Sequence, residues 1–284
     1  MGNVFCMRLV WSVWIAVFFV WGRPAAVAAH GPLDEQIAQV TKDIRQHPND
    51  PILYLKRGEL HHFHEDWPAA LADYDTAANL DSKLSIVDLY RSKTLLAASQ
   101  PQEAMAALDR LFLHNPNHID GLLTRARTLV RLSQYETAAI DYTKVIDSIE
   151  TVPPELFVER AQALERAGES HYSAALTGLD DGLQKIGQVV TLQLFAIELE
   201  LKLSHYDAAL ARLEQISAIS RRKEKWLMRK GEILHKAGRG VEAGDAYRQA
   251  LLEIERLPPT RRRNKAVMEM ERGIHSALQD LGAK

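Results

Sequence analysis

Arg57-Gly58, Arg91-Ser92 and Arg125-Ala126 follow one another at intervals of 34 residues. Ala70, Ala104 and Ala138 do the same, as do Tyr74, Leu108 and Tyr142, and Pro48, Ser82 and Pro116. The register slips by one residue at Arg160-Ala161, after Pro153-Pro154, and by two more before Ala175, where Ser170-His171 lengthen a turn. It then returns at Ala175, Ala209 and Ala243. A period of this size means that one supersecondary unit is repeated and that each copy shares its core with its neighbours.

Each unit reads as a helical pattern, a short polar turn such as HED, SQP, LSQ or LSH, and a second helical pattern. The alanine opening the second helix is small because the two helices cross closely there. The Gly58, Ser92 and Ala126 column serves the same crossing on the first helix. The tyrosine or leucine four positions beyond the alanine lies one turn further along the same face and fills the space beside it. The copies begin near residues 51, 85, 119, 154, 190 and 224, giving units 51–84, 85–118, 119–153, 154–189, 190–223 and 224–257. Residues 30–50 read as a leading helix and 258–284 as a capping helix. The expected fold is all-α, a right-handed α-solenoid of about six helical hairpins.

Tyr54, Gly58, Trp67, Ala70, Tyr74 and Ala77 in the first copy resemble the consensus of the tetratricopeptide repeat (TPR) family. Ile197, in the small-residue column, and Pro101 and Gly240, where an aromatic follows the turn, depart from it. The resemblance implies a groove lined by the first helix of each hairpin, and a protein that binds a partner protein or peptide without catalysing a reaction. Carried over place by place, it puts Leu55, Glu59, His62, Phe63, Leu89, Lys93, Leu96, Leu123, Arg127, Val130 and Arg131 on that groove. Gln162, Glu165, Arg166, Glu198, Lys202, Met228, Glu232, His235 and Lys236 continue it. Lys93, Arg127 and Arg131 are expected to form one basic stripe with exposed heads, suited to an acidic peptide. The Lys-Asn-Asn-Lys-Arg clamp with which some family members hold C-terminal carboxylates falls on Leu55, Glu59, Lys93, Leu123 and Arg127. Only Arg127 matches, so that ligand class is not supported.

The first residues follow another rule. Residues 9–21, LVWSVWIAVFFVW, have Ser12 as their only polar member, follow Arg8 and precede AAVAAH at 25–30. A short apolar core followed by small residues is the pattern of a secretory signal peptide, here 1–29, leaving Ala29 or His30 first. The run is shorter than the roughly 18–20 residues that span a bilayer. The expected location is periplasmic or secreted, with an uncleaved membrane anchor as the alternative. The single cysteine, Cys6, lies in this segment, so the remainder has no thiolate chemistry. Beyond the leader the charge is slightly acidic, which gives no reason to bind nucleic acid, even with the basic clusters at 221–225 and 261–265.

The chemical motifs of common enzymes are missing. There is no H-E-x-x-H, P-loop or G-x-S-x-G, and Gly238, Gly240 and Gly244 fall in a turn between helices without a preceding strand. No cofactor is implied. The one cluster that invites another reading is HHFHEDW at 61–67. His61 takes a packing place, His62 a groove place and His64 a place near the turn. A metal site for copper, nickel or zinc would draw on His30, His62 and His64, because the leading helix runs antiparallel to the next and returns towards its end. Three histidines in one helical register more often have separate structural roles, and that is the expectation here.

Overall fold

The computed structural model describes residues 31–282, and these are helical without a strand. Helix α1 (Gly31–Gln46) precedes six hairpins: α2 (Pro51–Phe63) with α3 (Trp67–Leu80), α4 (Ile86–Ala97) with α5 (Pro101–His114), and α6 (Ile119–Arg131) with α7 (Tyr135–Ser148). The series continues with α8 (Pro154–Ala167) and α9 (Tyr172–Ile186), α10 (Val190–Lys202) and α11 (Tyr206–Ile219), and α12 (Glu224–Lys236) and α13 (Gly240–Glu255). The short α14 (Pro259–Arg262) and α15 (Lys265–Gly282) follow. From α1 to α13 each helix packs on the next in sequence, which is the contact order of a solenoid, and α15 then packs on α13. No described helix is long and apolar enough to cross a membrane.

The chain beyond α13 was expected to hold one capping helix and instead holds two. The break falls at Asn264, whose side chain accepts the Ala266 N–H at 2.9 Å and starts a new helix. Helix α15 then lays Val267 and Ile274 on α13, closing the last hairpin. At the other end, α1 turns Val40 and Ile44 inward and packs on α2.

Within each hairpin the crossing is filled by complementary volumes. Ala70, Ala104, Ala138, Ala175, Ala209 and Ala243 are all inaccessible to solvent, at 0%. One turn along, Tyr74 lies over Gly58, where an added Cβ would come within 2.5 Å of the ring. Tyr247 covers Gly231 in the same way, also at 2.5 Å. In the fifth hairpin Ile197 stands where the others have a small residue, and it is 1% exposed. Its counterpart is Leu213 rather than a tyrosine, so a larger residue on α10 meets a smaller one on α11. Ile197 faces the core built with α12 and α13, while Leu199 faces that of α6 to α9. Helix α10 thus joins the two largest core clusters.

The turns inside the hairpins share one backbone device. Glu65, Ser99, Ser133 and Ser204 have φ of 60° or 61°, and Gly238 has 75° at the equivalent place. Each closes its helix with the same pair of bonds: the Ser133 N–H donates to Val130 O, for example, and the Gln134 N–H to Leu129 O at 2.9 Å. The fourth hairpin differs. Gly168 has φ 126°, and a single turn of 3-10 helix, Glu169–His171, takes up the two inserted residues.

A left-handed L-residue costs roughly 1–2 kcal/mol, whereas glycine loses about 0.5–1 kcal/mol of chain entropy there. Ser133→Gly should therefore raise stability in urea unfolding by about 0.5–1 kcal/mol. Gln134→Gly, at φ −93°, should give no gain. A destabilised Ser133→Gly protein would show that this turn stores no strain.

Candidate functional site

The first helices of successive hairpins, α2, α4, α6, α8, α10 and α12, carry the groove residues expected from the repeat register. Their side chains form a ladder in which each neighbouring pair shares one polar rung. From α2 to α4, His62 Nδ1 and Thr94 Oγ1 share a hydrogen bond of 2.8 Å. From α4 to α6, Lys93 Nζ lies 3.4 Å from Asp120. Arg127 on α6 holds Glu159 on α8 through two bonds of 2.9 Å. Lys202 on α10 reaches back to Glu165 on α8 at 2.5 Å, and Arg229 on α12 pairs with Glu198 on α10.

The basic stripe expected from Lys93, Arg127 and Arg131 is therefore corrected. Lys93 and Arg127 face acids supplied by the next hairpin, and only Arg131 is an exposed cation with no ion pair among the described residues. The strongest rung is a three-membered cluster. Burial opposes ionisation of Glu159, but hydrogen bonds from Arg127 and Tyr142 outweigh it and hold the carboxyl below its ordinary value. Exposed pairs such as Lys93–Asp120 contribute up to about 1 kcal/mol each.

The last turns of these helices form a second row. The equivalent places are Phe63, Ala97, Arg131, Arg166, Lys202 and Lys236. Phe63 is 62% exposed and meets His62 edge-on at 5.6 Å between ring centres. Arg131, Arg166 and Lys236 are exposed and make no ion pair among the described residues. Lys202 lies over the Tyr172 ring at 5.4 Å, and its hydrogen bond to Glu165 raises its pKa. Glu59, on α2, is half-buried, and after burial itself its charge is the next cause raising the Tyr90 hydroxyl.

The histidines of 61–67 diverge. His61 Nε2 points towards Asp73 at 4.0 Å, and His62 is engaged by Thr94 and stacked at a tilt on Trp67 at 5.3 Å. His64 Nε2 meets Asp34, in the first turn of α1, at 3.1 Å. The start of α1 does return to the end of α2, but through this pair. No three His, Cys, Asp or Glu side chains converge as metal ligands among the described residues, and His30 lies outside them.

His62 is held below the ordinary 6.5, first by burial and then by the charge of Lys93. Its folded value lies below the unfolded one, so the neutral ring stabilises the fold above about pH 6.5. That contribution is lost as the pH falls through the folded value. Lys93→Gln should move the His62 titration, followed by NMR of the ring protons, part of the way back up. An unmoved titration would mean that Lys93 does not act on it.

The tetratricopeptide repeat model TPR_16 matches residues 196–260. No curated protein matches the chain. Among solved structures, the C-terminal part of a TPR repeat-containing protein from Cytophaga hutchinsonii is similar at a TM-score of 0.65 and 17% identity, over 84% of this chain and 94% of its own. A tetratricopeptide repeat protein from Parabacteroides merdae gives 0.53 and 15% identity, over 86% and 93%. YrrB, described as a TPR protein with an unusual peptide-binding site, gives 0.50 and 12% identity, over 63% and 91%. Residues 196–260 thus match a tetratricopeptide repeat model, and the described residues share the hairpin-solenoid fold of tetratricopeptide repeat proteins.

Proposed function

We propose that the protein is a non-enzymatic scaffold that binds an acidic segment of a partner protein along the last turns of its first helices. The observation that carries this reading is the row Arg131, Arg166, Lys202 and Lys236, which puts a cation in the same place in four successive hairpins. Three of these cations are exposed and have no ion pair among the described residues. Cations at helix C-termini also complement the carbonyl ends, which favours them locally. An extended acidic peptide would exchange those weak contacts for charge-assisted ones from hairpin to hairpin. Phe63 continues the row as an exposed apolar contact. YrrB, of the same fold, is described by its peptide-binding site.

The test compares a peptide of spaced Glu and Asp with its Gln and Asn counterpart by calorimetry. Arg131→Glu with Arg166→Glu should weaken the acidic peptide by at least about tenfold and reduce its salt sensitivity. Arg127 is left intact, because a glutamate there would face Glu159. Equal binding of the two peptides, or an unaffected double variant, would exclude this partner class.

The apolar run at 9–21 and Ala26-Val27-Ala28 after it support an exported location for this scaffold. N-terminal sequencing of exported protein should begin at Ala29 or His30. Recovery of the intact Met1 end from membranes would favour the anchored form.

A further inference from the structure

One column of the solenoid carries a cation in every hairpin but the fifth, which has Ala196 there, and its partners show what it binds. Arg57 takes Asp73 of its own hairpin through bonds of 2.8 and 2.6 Å, and Arg125 takes Asp141 at 2.6 and 2.9 Å. Where the own-hairpin place holds no acid, the preceding hairpin supplies one. Arg91 pairs with Asp75 at 2.5 Å, and Lys230 with Glu214 at 2.9 Å. In every one of these cases the cation receives a carboxylate, from the third or the fifth place after the column alanine.

Arg160 is the exception. Its own-hairpin place is Gly178 and its preceding-hairpin place is Thr143, so neither acid is present. The guanidinium makes no hydrogen bond or ion pair among the described residues, and its buried Nη2 has no partner. It rests on the open side of Gly178, where a Cβ would lie 1.8 Å from Nη2, and above the Phe157 ring at 6.0 Å. Burial pushes its pKa down, offset in part by the charges of Asp181 and Asp147.

Both vacant places line a cleft of about 600 Å³ between α7 and α9, floored by α8. The walls of this cleft come from second helices, whereas the row of cations belongs to the last turns of first helices. Ala139, Ile140, Leu164 and Ala174 give it apolar walls. His171 Nε2 and Glu136 close one end with a contact of 2.9 Å. The inserted residues of the 3-10 turn supply His171.

We propose that this cleft is a second binding site, which takes a carboxylate carried on a short hydrocarbon arm, with Arg160 as its counter-ion. A planar guanidinium pairs with a carboxylate through two parallel bonds, and the other hairpins show that pairing at this place. A single negative charge suits the site better than a phosphate dianion, because Asp181 and Glu136 also line the cleft. The apolar walls take the arm. The carboxylate can come from a free acid or from a glutamate side chain of a bound peptide.

The probes are pentanoate, its neutral analogue pentanamide, and a blocked Gly-Glu-Gly peptide, titrated into the full-length chain while the Arg160 Nε–H resonance is followed. Saturable binding of pentanoate or the peptide, but not of pentanamide, is expected at millimolar concentration. The carboxylate probe that saturates identifies the source. Arg160→Gln should weaken binding by at least about tenfold. Thr143→Asp restores the acid place that Asp75 fills for Arg91; it should raise the melting temperature and abolish binding with Arg160 still present. No saturable shift, equal binding of pentanamide, or undiminished binding in folded Thr143→Asp protein would overturn the proposal.

Discussion

The close crossing of the two helices in each hairpin is the constraint on which the solenoid depends. A helix pair whose axes approach this nearly needs a residue with almost no side chain on at least one helix, and the alanine column provides it six times. The second contact is adjustable. Gly58 with Tyr74, Gly231 with Tyr247, and Ile197 with Leu213 fill similar space with opposite divisions of volume. The repeat tolerates Ile197 because Leu213 is smaller than the tyrosine it replaces. Had Ile197 faced a tyrosine, overpacking of about 1–3 kcal/mol would have followed.

Electrostatics adds a second level of order to this packing. Asp73 and Asp141 are nearly inaccessible, with side chains 6% and 2% exposed, and each is held by the arginine of its own hairpin. Removing one partner of such a pair costs about 3–5 kcal/mol, so arginine and acid are coupled in each hairpin. The rungs between hairpins are more exposed and individually weak, but their geometry is directional. Arg127 with Glu159, and Lys202 with Glu165, join three consecutive first helices through the single helix α8. Arg131, Arg166 and Lys236, in the last turns of first helices, have no such partner among the described residues.

Much of this architecture was legible in the sequence. The columns at 34-residue spacing placed the hairpins, the small residues and the exception at Ile197, because packing at a helix crossing is a local rule repeated in register. The left-handed turns were not legible. Ser99, Ser133 and Ser204 do not signal a positive φ as glycine would, and only the backbone bonds to Leu96, Val130 and Leu201 impose it. The ion-pair ladder was also hidden. Arg127 and Glu159 are 32 residues apart, and their meeting depends on the rotation between hairpins rather than on spacing along one helix. His64 illustrates the same limit, since its partner Asp34 comes from a helix outside the repeat register.

The unpaired Arg160 is a different case, because its signal was present in the columns. Arg57, Arg91, Arg125 and Arg160 are visibly equivalent, and so are Asp73, Asp141 and Gly178. What the columns cannot show is whether a missing acid is replaced from elsewhere, as Asp75 does for Arg91. The structure shows no replacement for Arg160 among the described residues: Thr143 occupies the alternative place and gives its hydroxyl to Ala139 O at 2.9 Å. A desolvated cation without a counter-ion costs free energy. Glycine at 178 lets the guanidinium rest against the α9 backbone, at the place where two other hairpins carry an aspartate. A chain that pairs this column elsewhere, yet leaves one member open beside a cleft, has the charge and the room for an anion from outside.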